Sequence, residues 1–427
     1  FGSRAISARC HWNPPFHGWM ISAGVNYGAA QLAKDSTPVQ ESHLVVCLSV
    51  IVFAITACSY YFWGLLPAWE ADAKLGWTKT TTLTVNWSCT LCEALGLCLA
   101  GPAADYLEPG HLMAVEGLLA LTGVFVAALL PSAAELVLIL LFVNFVKGIL
   151  WPALGSIVFQ SVPAERQDGV FFCCALASRL SGAVGDLSLG KLLTMGYSWR
   201  GALTCFGGCV ALPLLGSIVM LHRLVPNVHE HSETSGVSYS SKWRRLLSDL
   251  NAWLALLLLT GGGCIWALAG YLAVLLKQKF ELSSGQSAMA ASSLLAGTFL
   301  GLLFAGAVTL AKGRSMGRSL QLIQATLGFV AFAVLEVIVK PSLPVTVTCL
   351  LLAGAGCGPL LYLPYTAYCS VVPREERAFA MGVLDSVSQA STCLTRIYFG
   401  YLRIVAPQRA GDVMYTVSIA GLGIAVS

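Results

Sequence analysis

Two cationic side chains lie near the middle of long apolar stretches of this sequence. They are Lys147 and Arg179, and Asn144 lies one helical turn before Lys147. A charged residue at the centre of a membrane helix costs about 2.5–3.5 kcal/mol, so it usually faces the interior of a helix bundle and serves function. Two cations at mid-depth can hold a carboxylate or phosphate by charge-assisted hydrogen bonds. We therefore predict that Lys147, Arg179 and Asn144 bind an anionic solute.

A polar stripe with helical spacing occurs near the C-terminal end of the chain. Its members follow one another at i, i+4, i+7 and i+11, which places them on one helical face: Asp385, Gln389, Thr392 and Arg396. A similar stripe in an earlier apolar stretch consists of Thr82, Asn86, Thr90 and Glu93. We expect both stripes to line a polar cavity.

Within that cavity, Gln389, Arg396 and Tyr362 are predicted to bind solute. Glu93 and Asp385 are the candidate proton carriers, because a buried carboxyl group can exchange a proton near neutral pH. An alternative stays open, in which the three buried cations form structural bridges between helices. Their partners would then be Glu93, Asp186 and Asp385.

The composition shows which elements must position these side chains. Of 427 residues, 56% are hydrophobic and 11% charged, and the mean hydropathy is +0.75. Soluble domains carry about 25% charged residues, so a water-soluble protein is excluded. Long uncharged runs also exclude an outer-membrane barrel, whose strands alternate apolar and polar residues. At about 20 residues per crossing, the apolar residues suffice for about twelve helices.

The individual apolar stretches support this number. Six contain no charged residue over at least 18 positions: Leu44–Trp69, Gly117–Ala134, Gly201–Leu221, Leu250–Leu276, Leu282–Ala311 and Pro341–Pro373. Five more carry one or two charges: Thr80–Ala104, Leu136–Ala164, Val170–Gly190, Ser319–Val339 and Ala378–Leu402. Val413–Ser427 is apolar but short. The sequence predicts an all-α membrane protein of about twelve transmembrane helices, the last one truncated.

A short internal repeat divides the helices into two groups. Val162-Pro163-Ala164-Glu165-Arg166 follows the fourth stretch, and Val372-Pro373-Arg374-Glu375-Glu376-Arg377 follows the tenth. Such repetition is typical of secondary transporters built from two related halves. We expect an N-terminal tail over residues 1–43, a six-helix bundle over 44–223, a cytoplasmic linker over 224–250 and a second six-helix bundle over 251–427. The two bundles would be related by pseudo-symmetry.

The loops predict the orientation in the membrane. With both termini on one side, thirteen basic residues lie on that side and nine on the other, which favours cytoplasmic termini. The sequence does not indicate which cellular membrane holds the protein. We expect the lipid bilayer and a small solute as partners, no nucleic acid, no cofactor and a monomeric protein.

These features resemble the major facilitator superfamily over residues 44–427. Gly101 and Asp105 are similar to the start of its signature between the second and third helices, and Arg166 and Arg377 follow the repeated loops. The resemblance implies a gating role for these four residues. Gly148-Ile149-Leu150-Trp151-Pro152 and Gly382-Val383-Leu384-Asp385 look like the organophosphate or sugar-phosphate antiporter branch. That branch has phosphate-binding arginines on helices one and seven, and both predicted helices lack arginine here.

The function predicted from these features is secondary active transport by alternating access. The solute is expected to be a small organic anion, moved with proton coupling or by exchange. A sugar-phosphate or phosphate antiporter and a non-transporting receptor-like membrane protein are the alternatives. An enzyme is not expected, because all seven histidines lie at the ends of apolar stretches or in tails, which also leaves no predicted metal site.

Overall fold

The computed structural model describes residues 38–130, 132–225, 239–312, 314–338, 341–359, 368, 372–373, 376–406, 416–418 and 420. Within these ranges the chain forms thirteen α-helices. They are α1 (Pro38–Ala71), α2 (Lys79–Tyr106), α3 (Pro109–Leu129), α4 (Ala133–Lys147), α5 (Leu150–Ser161), α6 (Ala164–Thr194), α7 (Trp199–Leu224), α8 (Tyr239–Ser248), α9 (Leu250–Phe280), α10 (Ser284–Lys312), α11 (Arg314–Val337), α12 (Leu343–Cys357) and α13 (Arg377–Val405).

Nine spans in the described part of the chain are long and apolar enough to cross a membrane, with α4 and α5 together forming one of them. The prediction of an all-α, multi-pass membrane protein is confirmed. The helix α12 is apolar but shorter, and α13 is long but carries several charges. Most of the predicted last helix, Val413–Ser427, lies outside the described residues.

Successive spans run in opposite directions, so the bundle has two ends. We call the end that carries α8 the linker side and the opposite end the far side. Most far-side loops are short, and polar side chains cap the helices that follow them. Thr78 and Ser198 accept hydrogen bonds from the first turns of α2 and α7, and Ser132 and Glu135 form a capping box at the start of α4.

The third span differs from its predicted position. The uncharged run Gly117–Ala134 predicts its bounds, whereas α3 covers Pro109–Leu129. The predicted start is too late because Glu116 interrupts the uncharged run although it lies inside the helix and is fully buried. An uncharged run is therefore too strict a criterion here. It ends earlier because Ser132 caps the next helix.

The fourth span is broken next to Lys147. A turn at Gly148 and Ile149 separates α4 from α5, and Pro152 lacks the N–H that would bond back to the carbonyl of Gly148. Gly148 packs directly on α2, where a Cβ atom would lie 2.6 Å from the carbonyl oxygen of Glu93. Gly96 faces the backbone of Phe145 in the same way. The two helices therefore approach closely at mid-depth, which brings Lys147 beside Glu93.

We call α1–α7 the early helices and α9–α13 the late helices. Contacts between the two groups are most extensive along α2 with α13 and along α6 with α10. Small residues allow this approach. Gly382 of α13 lies against Gly101 of α2, and Gly190 of α6 lies against Gly285 of α10. The space enclosed between these helix pairs contains the candidate site.

Candidate functional site

A cavity lies at mid-depth between the early and the late helices. Its empty volume is about 780 Å³, which includes part of its opening to solvent. Helices α1, α2, α4, α5, α6, α9 and α13 contribute its lining: Thr56, Tyr60, Glu93, Lys147, Trp151, Phe171, Ala175, Ser178, Arg179, Leu259, Trp266, Met381, Asp385, Ser388 and Gln389.

Lys147 and Glu93 form an ion pair in the wall of this cavity. The Lys147 Nζ atom lies 2.8 Å from Glu93 Oε1, and the two side chains are 10% and 9% exposed. The Lys147 ammonium also lies 5.6 Å from the centroid of the Tyr60 ring. Of the alternative structural bridges, this one is formed. It is a single contact, so both groups keep hydrogen-bonding capacity for other partners.

Arg179 is held by aromatic residues. Its Nη1 group donates a hydrogen bond to the Tyr60 hydroxyl at 3.1 Å, and its Cζ atom lies 4.4 Å from the centroid of the Trp266 ring. The buried Nε group of Arg179 has no hydrogen-bond partner, and no carboxylate pairs with the guanidinium in the described part of the chain. The predicted bridge to Asp186 is therefore not formed. A partly buried guanidinium whose buried Nε donor is unused is suited to an anionic ligand.

On the opposite wall, α13 presents Asp385 and Gln389. Asp385 is buried, at 6% exposed, and both side chains line the cavity as their spacing predicts. Together with Glu93, Lys147 and Arg179, the lining contains two cations and two carboxylates. The cavity therefore has no formal net charge when all four groups are ionised.

The remaining members of the two stripes lie toward the far side, outside the cavity lining. Thr392 donates to the carbonyl of Gly263 at 3.2 Å, and Asn86 donates to the carbonyl of Gly270 at 3.0 Å. The Arg396 Nη1 group donates to the hydroxyl of Thr90. The stripes thus contact the opposite helices there instead of facing open space, and only Glu93, Asp385 and Gln389 reach the cavity.

Asn144 also lies outside the lining. Its side-chain oxygen accepts a hydrogen bond from Ser59 at 3.2 Å, and its side-chain nitrogen donates to the carbonyl of Leu140 at 2.8 Å. It joins α4 to α1 just behind the cavity wall. Tyr362 lies outside the described residues.

Contacts can be described for three of the four predicted gating residues, and all three lie on the linker side. Gly101 packs against α13 near Phe379, and Arg166 pairs with Glu41 at the start of α1. Arg377 donates to the side chain of Gln167 in α6 at 3.3 Å, which joins an early helix to a late one. Asp105 lies in the last turn of α2.

The far side has its own contacts between early and late helices. Lys277 of α9 donates to the carbonyl of Pro67 in α1 at 2.9 Å. Arg403 of α13 donates two hydrogen bonds to the carboxylate of Glu70 in α1, each at 2.9 Å. Contacts therefore join the early and late helices on both sides of the cavity.

Tyr60 and Trp151 are cavity residues that the sequence did not reveal. Tyr60 lies in α1, which has no charged residue at mid-depth, so a search for buried charges passes over it. The only available signal is its spacing from Thr56, which puts both side chains on one face of α1.

A separate cluster of potential metal ligands lies on the linker side. Glu108, His111 and His222 have ligand atoms within 4.8 Å of one another, and both histidines are exposed. His111 Nδ1 lies 2.5 Å from Glu108 Oε2. The cluster joins the start of α3 to the end of α7 and is remote from the cavity.

A cavity enclosed by membrane-spanning helices is the architecture of a solute carrier. A profile of the Major Facilitator Superfamily matches residues 48–395, and the chain belongs to this family. It is therefore an integral, multi-pass membrane protein with the fold of secondary transporters, and the family indicates transport instead of catalysis. No curated protein sequence matches the chain.

Solved structures of three transporters share the fold. A D-xylose–proton symporter has a TM-score of 0.71 at 12% identity, with 91% of this chain and 97% of that chain covered. The nucleoside transporter NupG has a TM-score of 0.62 at 14% identity, covering 90% and 97%. A bacterial homologue of the human lysosomal transporter Spinster, in an inward-facing and unoccupied conformation, has a TM-score of 0.61 at 15% identity, covering 92% and 96%.

Proposed function

We propose that this protein is a proton-coupled carrier of a small organic anion. The observation that supports the proposal is Arg179, a partly buried guanidinium that faces the cavity with a buried Nε group and without a carboxylate partner among the described residues. Leaving such a cation unpaired is costly, and a bound carboxylate would remove that cost. The Arg179 Nε group and the Lys147 ammonium are the donors that we assign to the solute.

The charge balance of the cavity supplies a mechanism for coupling. With Glu93 and Asp385 ionised, the two carboxylates offset Lys147 and Arg179. Protonation of either carboxyl group leaves one positive charge in excess, which attracts an anion. Proton and anion therefore favour one another's binding, and this coupling is reciprocal. Symport of one proton with the anion follows.

Glu93 is the better placed of the two carboxyl groups for this role. Its ion pair with Lys147 is a single contact of 2.8 Å. When Glu93 takes up a proton, this attraction weakens and the ammonium becomes available to the solute. Asp385, on the opposite wall, is the second proton-carrier candidate.

Alternating access requires the contacts on the two sides of the cavity to open in turn. On the linker side we assign this role to the hydrogen bond of Arg377 with Gln167, next to the packing of Gly101 against α13. On the far side we assign it to the contact of Arg403 with Glu70. Each contact joins an early helix to a late one, so each must break when its side opens.

A second candidate is proton-coupled transport of a neutral polar solute. It is favoured by the formal neutrality of the lining and by the aromatic residues Tyr60, Trp151 and Trp266, which can pack against a sugar ring. The solved D-xylose–proton symporter has the same fold.

Uptake into proteoliposomes distinguishes the candidates. Purified protein is tested with radiolabelled lactate, inorganic phosphate and xylose, with and without an inside-alkaline pH gradient. We expect lactate to accumulate with the gradient. Arg179→Gln should reduce its uptake by about 10- to 100-fold, because a hydrogen bond to a charged group contributes roughly 1.5–3 kcal/mol. Accumulation of phosphate instead of lactate would support the phosphate antiporter alternative.

Arg200→Gln provides the matched control. Arg200 also stacks on a tryptophan, Trp199, at 4.0 Å, but it lies at the far-side start of α7, away from the cavity. This variant should transport lactate at the wild-type rate. Uptake of xylose alone, unchanged in Arg179→Gln, would reject the anion proposal in favour of a neutral solute.

A further inference from the structure

Two arginines, Arg396 buried and Arg179 partly buried, are arranged in corresponding ways in the two parts of the protein. Arg179 of α6, the fifth span, stacks on Trp266 of α9, the seventh span, at 4.4 Å. Arg396 of α13, the eleventh span, stacks on Trp63 of α1, the first span, at 4.3 Å. The fifth and eleventh spans correspond in a six-plus-six repeat, as do the first and seventh. Each guanidinium therefore contacts the first helix of the other six-helix group.

The surroundings of the two guanidinium groups also correspond. Each donates one hydrogen bond to a hydroxyl group, Tyr60 for Arg179 and Thr90 for Arg396. Each has a buried Nε group without a hydrogen-bond partner in the described part of the chain. Among the described residues, neither forms an ion pair with a carboxylate. Arg396 is only 3% exposed, so its charge is costly to bury without a carboxylate partner, whereas Arg179 is partly buried.

The two arginines lie at different depths. On α1, Trp63 follows the cavity residue Tyr60 by three positions toward the far side. On α9, Gly270 follows Trp266 by four, and a Cβ atom at Gly270 would lie 2.5 Å from Arg396 Nη2. Three to four residues correspond to about one helical turn, roughly 5 Å along the bundle axis. Arg396 is thus one turn beyond the cavity, and the absent side chain of Gly270 provides the space for it.

We propose that Arg396 and Trp63 form a second anion-binding position, and that the solute is a short dicarboxylate bound by both arginines. One carboxylate would lie at Arg179 and the other at Arg396, so each half of the bundle would hold one end of the solute. The separation of about one turn suits a four-carbon dicarboxylate. Trp63 stacks on Arg396, which is buried in this conformation, so Trp63 must shift when the second carboxylate arrives. This inference rests on the proposed anion transport and specifies its substrate class.

A ligand series on the wild-type protein is the first test. Succinate and butyrate have the same four-carbon length and differ by one carboxylate. Binding of each to the purified full chain is measured by thermal shift and by inhibition of uptake in proteoliposomes. We expect succinate to bind at least about tenfold more tightly, since one charged hydrogen bond supplies about 1.5–3 kcal/mol. Equal affinities would overturn the inference while leaving anion transport intact, and binding of neither would reject both.

Arginine variants form the second test. Arg396→Gln should bind butyrate as the wild type does but lose the preference for succinate, whereas Arg179→Gln should lose both ligands. Arg396→Lys keeps the charge if Arg396→Gln does not fold, and it should reduce the preference, because lysine lacks the planar fork of donors. Arg200→Gln is the control and should preserve the preference. An unchanged succinate preference in both Arg396 variants would show that Arg396 is a structural residue and overturn the inference.

Discussion

The cavity and the far-side end of the bundle each contain an arginine stacked on a tryptophan, and their surroundings differ. At the far side, Arg200 stacks on Trp199, lies 3.7 Å from the Asp72 carboxylate and donates to the carbonyl of Leu130 at 2.9 Å. In the cavity, the Tyr60 hydroxyl is the only hydrogen-bond acceptor of Arg179 among the residues that the structure describes. Similar stacking thus occurs with a compensated charge in one place and an uncompensated one in the other.

Ion pairs show the same contrast between the two regions. Arg403 and Glu70 meet at the far side through two parallel hydrogen bonds of 2.9 Å. Lys147 and Glu93 meet in the cavity through one contact of 2.8 Å. A two-point contact fixes geometry and leaves few donors for other groups, whereas a single contact can be exchanged for another partner. We propose that charges at the far side hold helices together and that charges in the cavity are available to ligands.

The largest expected effect is on stability at the far-side pair. Arg403→Gln leaves the Glu70 carboxylate without its partner in a largely buried position, which should lower the free energy of unfolding by about 3 kcal/mol. Thermal unfolding in detergent micelles measures the change. Replacing both residues, Arg403→Gln with Glu70→Gln, should recover much of the loss, because no unpaired charge remains.

The same double-mutant cycle on Lys147 and Glu93 tests the contrast directly. We expect a smaller coupling energy for Lys147→Gln and Glu93→Gln than for the far-side pair, since only one contact is lost. Equal coupling energies in the two cycles would contradict the distinction between the far-side pair, which holds helices together, and the cavity pair, which can exchange its partner.

The next effect concerns proton coupling. Glu93→Gln cannot release a proton, so accumulation of the solute driven by the pH gradient should be lost while exchange across the membrane continues. For one proton per solute, a gradient of one pH unit supplies about 1.4 kcal/mol, a tenfold accumulation ratio. In the variant the accumulation ratio should fall to about one, because the pH gradient no longer contributes its roughly 1.4 kcal/mol to solute accumulation.

Asp385→Gln and Glu93→Gln can be compared in this assay. If Glu93→Gln still accumulates solute and Asp385→Gln does not, the proton is carried by Asp385. Retained accumulation in both variants would exclude these two residues as proton carriers.

The membrane explains why the helices could be predicted so well from the sequence. Backbone groups in lipid must bond within their own helix, so apolar length alone identifies a span. The criterion fails where a charge is buried within a helix. Glu116 is fully buried in α3, and neither of its carboxylate oxygens has a hydrogen-bond partner among the described residues. The uncharged run, which starts after Glu116 at Gly117, therefore began eight residues after the start of the helix at Pro109 and misplaced the span.

The candidate site was predictable only in part. Charge inside an apolar stretch identified Lys147, Arg179, Glu93 and Asp385, all of which line the cavity. Arg396 shares a helical face with Asp385, but how far the cavity extends along that face depends on packing between α13 and α2, which spacing does not determine. The aromatic lining carries no charge and gives almost no signal in the sequence.

The smallest expected effect concerns the pH dependence at the far side. The Trp199 indole donates a hydrogen bond to Asp72 at 2.7 Å, and the backbone N–H of Lys74 donates another at 2.9 Å. These bonds, with the nearby Arg200, hold the pKa of Asp72 below its ordinary value, which is about 3.9. A carboxyl group with a lowered pKa stabilises the fold above the unfolded-state pKa, and this contribution is lost as the pH falls through the folded-state pKa.

Asp72→Asn should therefore be less stable than the wild type at neutral pH, and this difference should shrink as the pH falls below about 4. Thermal unfolding of both proteins between pH 7 and pH 3 measures it, and comparison with the wild type removes the contribution of other carboxyl groups. Proton-driven uptake by the variant should be unchanged at neutral pH, because Asp72 lies beyond the end of α1 and outside the cavity. If Asp72→Asn abolished accumulation as Glu93→Gln is expected to do, the far-side charges would belong to the coupling machinery, and the contrast between the two regions would not hold.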